Sequence, residues 1–135
     1  MMGETIPKIS NLVTLDPIKT DVWGIPQLNI NVDYDNNDEK MIHDLKISRD
    51  IALDNLNGFS RVVFPYSQAA FYAYFKIKDI SDSEKFCFDT LEKTGVGLAP
   101  GTSFGNGGNS WIRICYAKSP DLLNKAFEKL KLVLS

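Results

Sequence analysis

The chain has 135 residues, of which 44% are hydrophobic and 24% charged, and its formal net charge is −2. This length suits one domain, and the slight acidity excludes a strong electrostatic attraction to nucleic acid or to an anionic membrane. No apolar stretch is long enough to span a bilayer and the N-terminus lacks a signal-peptide core, so we expect a cytoplasmic protein. The two cysteines, Cys87 and Cys115, are too few for a disulfide framework, and we expect both to be buried free thiols.

Residues 1–36 show little helical periodicity and contain three prolines. Within them, residues 28–34 alternate between apolar and polar side chains, which predicts a strand with one buried face. We therefore interpret residues 1–36 as an irregular or strand-containing N-terminal segment, or a linker.

A long amphipathic helix is predicted next, over residues 39–56, and Asn57-Gly58 ends it. The apolar side chains that share one stripe of this helix are Met41, Ile42, Leu45, Ala52 and Leu56.

Two further helices and four short strands are predicted in the rest of the chain. The strands cover residues 61–64, 71–77, 96–99 and 111–117. One helix begins at the capping box Ser81-Asp82-Ser83-Glu84, ends at Gly95 and directs Cys87, Phe88 and Leu91 inward. The other begins at Ser119-Pro120 and buries Leu122, Leu123, Ala126, Phe127 and Leu130. This order favours an α+β fold, a two-layer sandwich of one mostly antiparallel or mixed sheet with the helices on one face.

Alternation along two strands predicts an outer sheet face that carries aromatic and basic side chains. Tyr72, Tyr74 and Lys76 oppose the apolar set of their strand, and Trp111 and Arg113 oppose that of theirs. An arginine in mid-strand is costly to bury unpaired, so Arg113 requires a carboxylate or a phosphate partner. From the pattern alone, a structural ion pair with a nearby Asp or Glu is favoured over a bound ligand.

The remaining candidates are weaker. The glycine-rich segment Pro100–Gly108 could cradle a phosphate, but it lacks P-loop spacing and leads into a strand, so a tight connection with positive-φ glycines is favoured. His43 is the sole histidine and is read as a surface residue, because no second His or Cys stands at metal-binding spacing. No nucleophile motif is present.

From Ala70 to Leu134 the chain resembles the C-terminal small domain of class I/II (fold type I) PLP-dependent aminotransferases, of the aspartate or aromatic type. Three segments carry the resemblance in order: Ala70–Phe75 (AFYAYF), Gly95–Gly105 (GVGLAPGTSFG) and Trp111–Ala117 (WIRICYA). The helix predicted over residues 39–56 also suits the start of this domain. The resemblance implies that residues 37–135 form an aminotransferase-like small domain.

In that family the arginine of the last motif binds the substrate α-carboxylate, and the matching residue is Arg113. The resemblance also places Tyr72, Phe104 and Gly105 in the active-site wall. Pyridoxal phosphate is held by a lysine of a Ser-x-x-Lys-like motif, and no lysine here follows a serine by three positions. We therefore expect no catalytic or cofactor-binding residue in this chain. The expected partners are an amino acid or 2-oxo acid, a large cofactor-binding domain of the same polypeptide and, at full length, a second subunit in a homodimer.

Two other functions stay open on the sequence. A sheet face with Tyr72, Tyr74, Trp111, Lys76 and Arg113 could stack the bases of single-stranded RNA, although the net charge and the absence of an RNP-like motif argue against it. A self-contained regulatory domain that kept the fold after losing the chemistry is the second. The fragment hypothesis predicts a longer native reading frame with a Ser-x-x-Lys lysine upstream of Met1.

Overall fold

A computed structural model describes residues 5–63 and 69–135. The described residues form two compact units, one that ends at His43 and one from Asp44 to Ser135. The elements in chain order are β1 (Leu12–Thr20), β2 (Pro26–Asn31), α1 (Asn36–Asn57), β3 (Val62–Val63), β4 (Tyr72–Ile77), α2 (Ser83–Thr94), β5 (Ala99–Pro100), β6 (Trp111–Cys115) and α3 (Pro120–Leu134). Two short 3-10 helices, Gly101–Phe104 and Gly108–Ser110, connect β5 to β6. The predicted strand residue Phe64 lies outside the described residues.

The N-terminal unit contains an antiparallel hairpin of β1 and β2, in which Leu15 pairs with Leu28. The carboxylate of Asp21 shapes its turn by accepting hydrogen bonds from the backbone N–H groups of Trp23 and Ile25, both at 2.9 Å. The sequence predicted the second strand, although the observed strand ends at Asn31. The predicted buried face is wrong, because Leu28 is 66% exposed. Alternation identifies the apolar face of a strand, but a layer must cover that face to bury it.

The helix α1 begins at a local cap, since one oxygen of Asp35 accepts hydrogen bonds from the N–H groups of Asn37 (2.9 Å) and Asp38 (3.2 Å). Ala52 and Leu56 are fully buried, as predicted, whereas Ile42 is exposed. The boundary between the two compact units falls inside this helix. The assignment of residues 37–135 to an aminotransferase-like small domain stays a prediction.

The second unit is built on a four-stranded antiparallel sheet with the order β3-β4-β6-β5. One face of β4 and β6 is buried, and the core that covers it takes side chains from all three helices. The sheet residues of this core are Ala73, Phe75, Ile77, Ile112 and Ile114, and the helical ones are Ala52, Leu56, Cys87, Leu123, Phe127, Leu130 and Leu134. The predicted α+β class is therefore confirmed, with helices covering one face of the main sheet.

The helix α2 has the ends that the sequence predicts, with one change at its start. Asp82, rather than a Ser81 capping box, accepts the hydrogen bond from the N–H of Lys85, and Gly95 closes the helix with a φ of 70°. Phe88 and Leu91 were predicted to be buried but are exposed. They line a groove of about 260 Å³ together with Gly97, Leu98, Pro100 and Ser103.

Three expectations for single residues are corrected or confirmed by the second unit. Leu122 is 57% exposed rather than buried, because α3 presents Leu123, Phe127 and Leu130 to the sheet instead. Cys87 is buried as predicted, but Cys115 is exposed, because it follows Arg113 on the outer face of β6. No helix of the described residues is long and apolar enough to cross a membrane.

Candidate functional site

The outer face of the sheet carries a cluster of aromatic side chains around Arg113. Strand pairing sets Tyr74 opposite Arg113 and Tyr72 opposite Cys115, so these side chains project to the same side. The ring of Tyr74 stacks on that of Trp111 with centroids 5.0 Å apart and planes inclined by 14°. Pattern alone therefore identified this face correctly.

Arg113 is half-buried between two aromatic rings. Its guanidinium carbon lies 4.1 Å from the centroid of the Tyr72 ring and 3.9 Å from that of Phe104. Both contacts are within the range in which a cation is attracted to a ring face. Among residues 5–63 and 69–135, none accepts a hydrogen bond from this guanidinium or forms an ion pair with it. The structural ion pair that the sequence left open is thus not formed within the described part of the chain.

The other two arginines are held by oxygen acceptors instead. Arg49 binds Asp50 Oδ1 through Nε (3.1 Å) and Nη2 (2.9 Å). Arg61 donates from Nη1 to the carbonyl of Val133 at 2.7 Å. Arg113 differs from both, because its N–H donors have no oxygen acceptor among the described residues.

The loop before β6 brings Phe104 to this position. The backbones of Gly101 and Gly108 cross so closely that a Cβ on Gly108 would lie 2.2 Å from the carbonyl group of Gly101. Thr102 ties the same loop to α2 by donating to Glu84 Oε1 at 3.0 Å. The sequence favoured a tight connection with positive-φ glycines, and Gly105 and Gly107 do have positive φ. It gave no signal for the close approach, because that contact joins residues apart in sequence.

The start of β4 is also fixed from the core. The hydroxyl of Tyr116 donates to the carbonyl of Ala70, and Ala70 itself has a φ of 65°. Burial raises the pKa of the Tyr116 phenol. Burial likewise raises the pKa of the Cys87 thiol to about 11. Both side chains belong to the buried core beneath the sheet, so they stabilise the fold and do not lie in the cluster around Arg113.

Three of the four predicted site residues, Arg113, Tyr72 and Phe104, come together in space. The fourth, Gly105, follows Phe104 in the chain, and a Cβ there would meet nothing within 4 Å. Their assignment to a substrate site stays a prediction. Trp111 and Tyr74, which join the cluster, were recognised on this face but not named as site residues.

The described residues do not fit a pyridoxal phosphate site by themselves. A lysine that forms a Schiff base is activated by desolvation or by a neighbouring cation, yet none of the described lysines is buried. Lys76, the lysine on the outer face of β4, is exposed. The described part of the chain also contains no cluster of three His, Cys, Asp or Glu that could bind a metal ion.

The curated proteins similar to this chain are aminotransferases. No family model matches the chain. The LL-diaminopimelate aminotransferase of Halothermothrix orenii is 30% identical over 97 residues, which are 72% of this chain and 25% of that protein. The aspartate aminotransferase of Pyrococcus horikoshii is 32% identical over 97 residues, 71% of this chain and 25% of that protein.

Solved structures agree. A crystal structure of an aminotransferase from Mycobacterium tuberculosis has a TM-score of 0.64 and 32% identity, covering 71% of this chain and 25% of that one. The aromatic aminotransferase from Pyrococcus horikoshii has a TM-score of 0.66 and 30% identity, covering 71% and 26% respectively. The chain spans about a quarter of the length of the curated relatives it matches. By sequence and by fold, this chain belongs to the fold type I aminotransferases, and its matched part corresponds to their C-terminal small domain.

Proposed function

We propose that this chain is the small-domain portion of a PLP-dependent aminotransferase, which transfers an amino group between an amino acid and a 2-oxo acid. In this proposal Arg113 binds the substrate α-carboxylate. The observation that carries it is a half-buried guanidinium on the outer sheet face with no oxygen acceptor among the described residues. A planar guanidinium matches a carboxylate through two parallel hydrogen bonds, so it fixes the orientation as well as the charge of its ligand.

The division of labour follows from the lysines. The large domain would hold pyridoxal phosphate, which stabilises carbanions as an electron sink, and would carry the Schiff-base lysine. In this proposal the chain contributes the carboxylate-binding Arg113 and part of the active-site wall, made by the rings of Tyr72 and Phe104 and by Gly105. We therefore propose that the isolated chain is inactive. From the family resemblance we also propose that the full-length protein is a cytoplasmic homodimer. The relatives include LL-diaminopimelate, aspartate and aromatic aminotransferases, and we propose an aspartate or aromatic amino donor.

RNA binding by the same face has less support. Base stacking needs free ring faces, and the mutual stacking of Tyr74 and Trp111 already occupies one face of each ring. The Tyr72 ring contacts both the Arg113 guanidinium and the ring of Phe71, whose centroid is 4.3 Å away. A short single-stranded RNA should therefore fail to bind at low salt. Salt-dependent binding would favour this alternative instead.

Binding of pyruvate, the smallest 2-oxo acid, tests the proposal on the chain itself. We expect ligand-observed NMR to detect saturable binding by the wild type and its loss in Arg113→Lys, because an ammonium cannot form the bidentate pair. Arg49→Lys is the matched control, since it makes the same change at an arginine that is bound to Asp50. Equal binding by both variants and the wild type would overturn the role of Arg113.

Cofactor chemistry gives a separate test. Mixed with pyridoxal phosphate, the chain should show no stable internal-aldimine absorption and no transaminase turnover. Measurable turnover would contradict the proposed division of labour. In an intact enzyme that contains this domain, Arg113→Ala should raise KM strongly for amino acids and 2-oxo acids alike, because both carry the carboxylate.

A further inference from the structure

The contacts of the three arginines indicate that Arg113 is held in an unusual way. Arg49 and Arg61 are each fixed by oxygen atoms that consume N–H donors. Arg113 is held between two ring faces, which attract its positive charge. These contacts do not require an N–H···O hydrogen bond from the guanidinium. Ring faces can order this side chain before a ligand arrives, and no described residue occupies its N–H donors through an oxygen atom.

The two rings differ in how they are held. Tyr72 belongs to β4, whose pairing with β6 fixes its distance from Arg113. Phe104 ends a 3-10 helix, is 45% exposed and approaches from a loop. Its ring also meets Tyr74 edge-on, with centroids 6.1 Å apart and planes at 90°. The close crossing of Gly101 and Gly108 sets the path of this loop, so backbone packing determines where the Phe104 ring lies.

We propose that Phe104 is a positioning residue for Arg113, which holds the guanidinium against Tyr72 in the orientation that receives a carboxylate. This inference rests on the proposed function, because it assigns Phe104 a role only through the carboxylate-binding arginine. Two rings about 4 Å from one guanidinium carbon restrict its rotation, so binding orders fewer side-chain torsions. The benefit appears as affinity for the carboxylate and leaves the free energy of unfolding almost unchanged.

Substitutions that separate ring character from bulk test this role. Phe104→Leu keeps an apolar side chain but removes the aromatic face, and we expect the Kd for pyruvate to rise roughly threefold to tenfold. Phe104→Tyr restores an aromatic face and should recover most of the lost affinity. Phe88→Leu is the control, because Phe88 is an exposed phenylalanine of α2 and lines the separate groove. It should bind pyruvate like the wild type.

A spectroscopic signature accompanies the affinity. Ring currents from Tyr72 and Phe104 should displace the Cδ proton resonances of Arg113, and Phe104→Leu should reduce that displacement while Phe104→Tyr retains it. Because Phe104 is almost half exposed, we expect circular dichroism to report a folded Leu variant. Should that variant lose structure, Tyr72→Leu removes the other ring and should weaken binding in the same direction.

The outcomes distinguish the two proposals. Wild-type affinity in folded Phe104→Leu, together with loss of binding in Arg113→Lys, would overturn the positioning role and leave the carboxylate role intact. Undiminished binding in Arg113→Lys would overturn the carboxylate role itself. A Leu variant that is weaker than wild type and is rescued by Tyr supports Phe104 as the positioning residue.

Discussion

The two faces of the main sheet are made by the same two strands and have opposite properties. Neighbours in sequence illustrate this, since Ile112 is fully buried under the helices while Arg113 points to the outer face between Tyr72 and Phe104. Three helices cover the inner face with aliphatic and aromatic side chains. Alternation along β4 and β6 therefore places the core residues on one face and the aromatic cluster around Arg113 on the other.

Substitutions on the two faces should differ most in the free energy of unfolding. Ile112→Ala should lower the free energy of unfolding by about 3–4 kcal/mol, because it leaves a cavity in a fully packed core. Arg113→Ala should lower it by less than about 1 kcal/mol, because it removes only partly exposed cation–π contacts. Urea denaturation of both variants measures the difference. Similar losses would mean that the outer face also stabilises the fold.

The loop between β5 and β6, which carries Phe104 to the outer face, should be nearly as sensitive. Gly108→Ala should cost roughly 3 kcal/mol, because its Cβ would collide with the backbone of Gly101. It should also weaken pyruvate binding, since the displaced loop carries Phe104. Gly97→Ala is the control, as its Cβ would meet nothing within 4 Å. If thermal unfolding shows equal stability for both variants, the crossing does not constrain the loop.

The buried thiol of Cys87 should make the free energy of unfolding depend on pH in the alkaline range. Burial raises the pKa of the Cys87 thiol from 9.0 to about 11, so between these values the unfolded chain loses a proton that the folded chain keeps. Stability should therefore be fully present below pH 9 and fall by about 2 kcal/mol as pH rises through this window. Cys87→Ala should lack this part of the decline. Parallel pH profiles for both proteins in urea denaturation would show that the thiol is not desolvated.

The smallest effect concerns Thr90, whose hydroxyl is buried without a hydrogen-bond partner among the described residues. Thr90→Val removes that unsatisfied group and should raise stability by up to about 1 kcal/mol. A matched Thr94→Val should destabilise instead, because the Thr94 hydroxyl donates to the carbonyl of Thr90 at 2.7 Å. Calorimetric melting temperatures that shift in the opposite directions would refute this account of the helix α2.

Local rules predicted much of this fold. Alternation placed Arg113 and Tyr72 on one face, and Gly95 and Ser119-Pro120 correctly marked helix ends. The strand β1 escaped prediction, because Asp16 and Pro17 interrupt its alternation. Local rules did not predict which side of a helix the short sheet covers. They also did not predict where the loop backbones at Gly101 and Gly108 cross. Phe104 was named through family resemblance alone, and its contact with Arg113 depends on that crossing.

The carboxylate-binding role of Arg113 is tested most directly by titration with pyruvate at constant ionic strength. The measurement is the arginine Nε–H spectrum of the ¹⁵N-labelled chain. The chain has three arginines, so Arg49 and Arg61 serve as internal references. We predict that the Arg113 resonance, assigned by its absence in Arg113→Lys, moves saturably while the other two stay fixed. Equal small movements of all three resonances, or an unmoved Arg113 signal, would contradict the assignment of Arg113 as the carboxylate-binding residue.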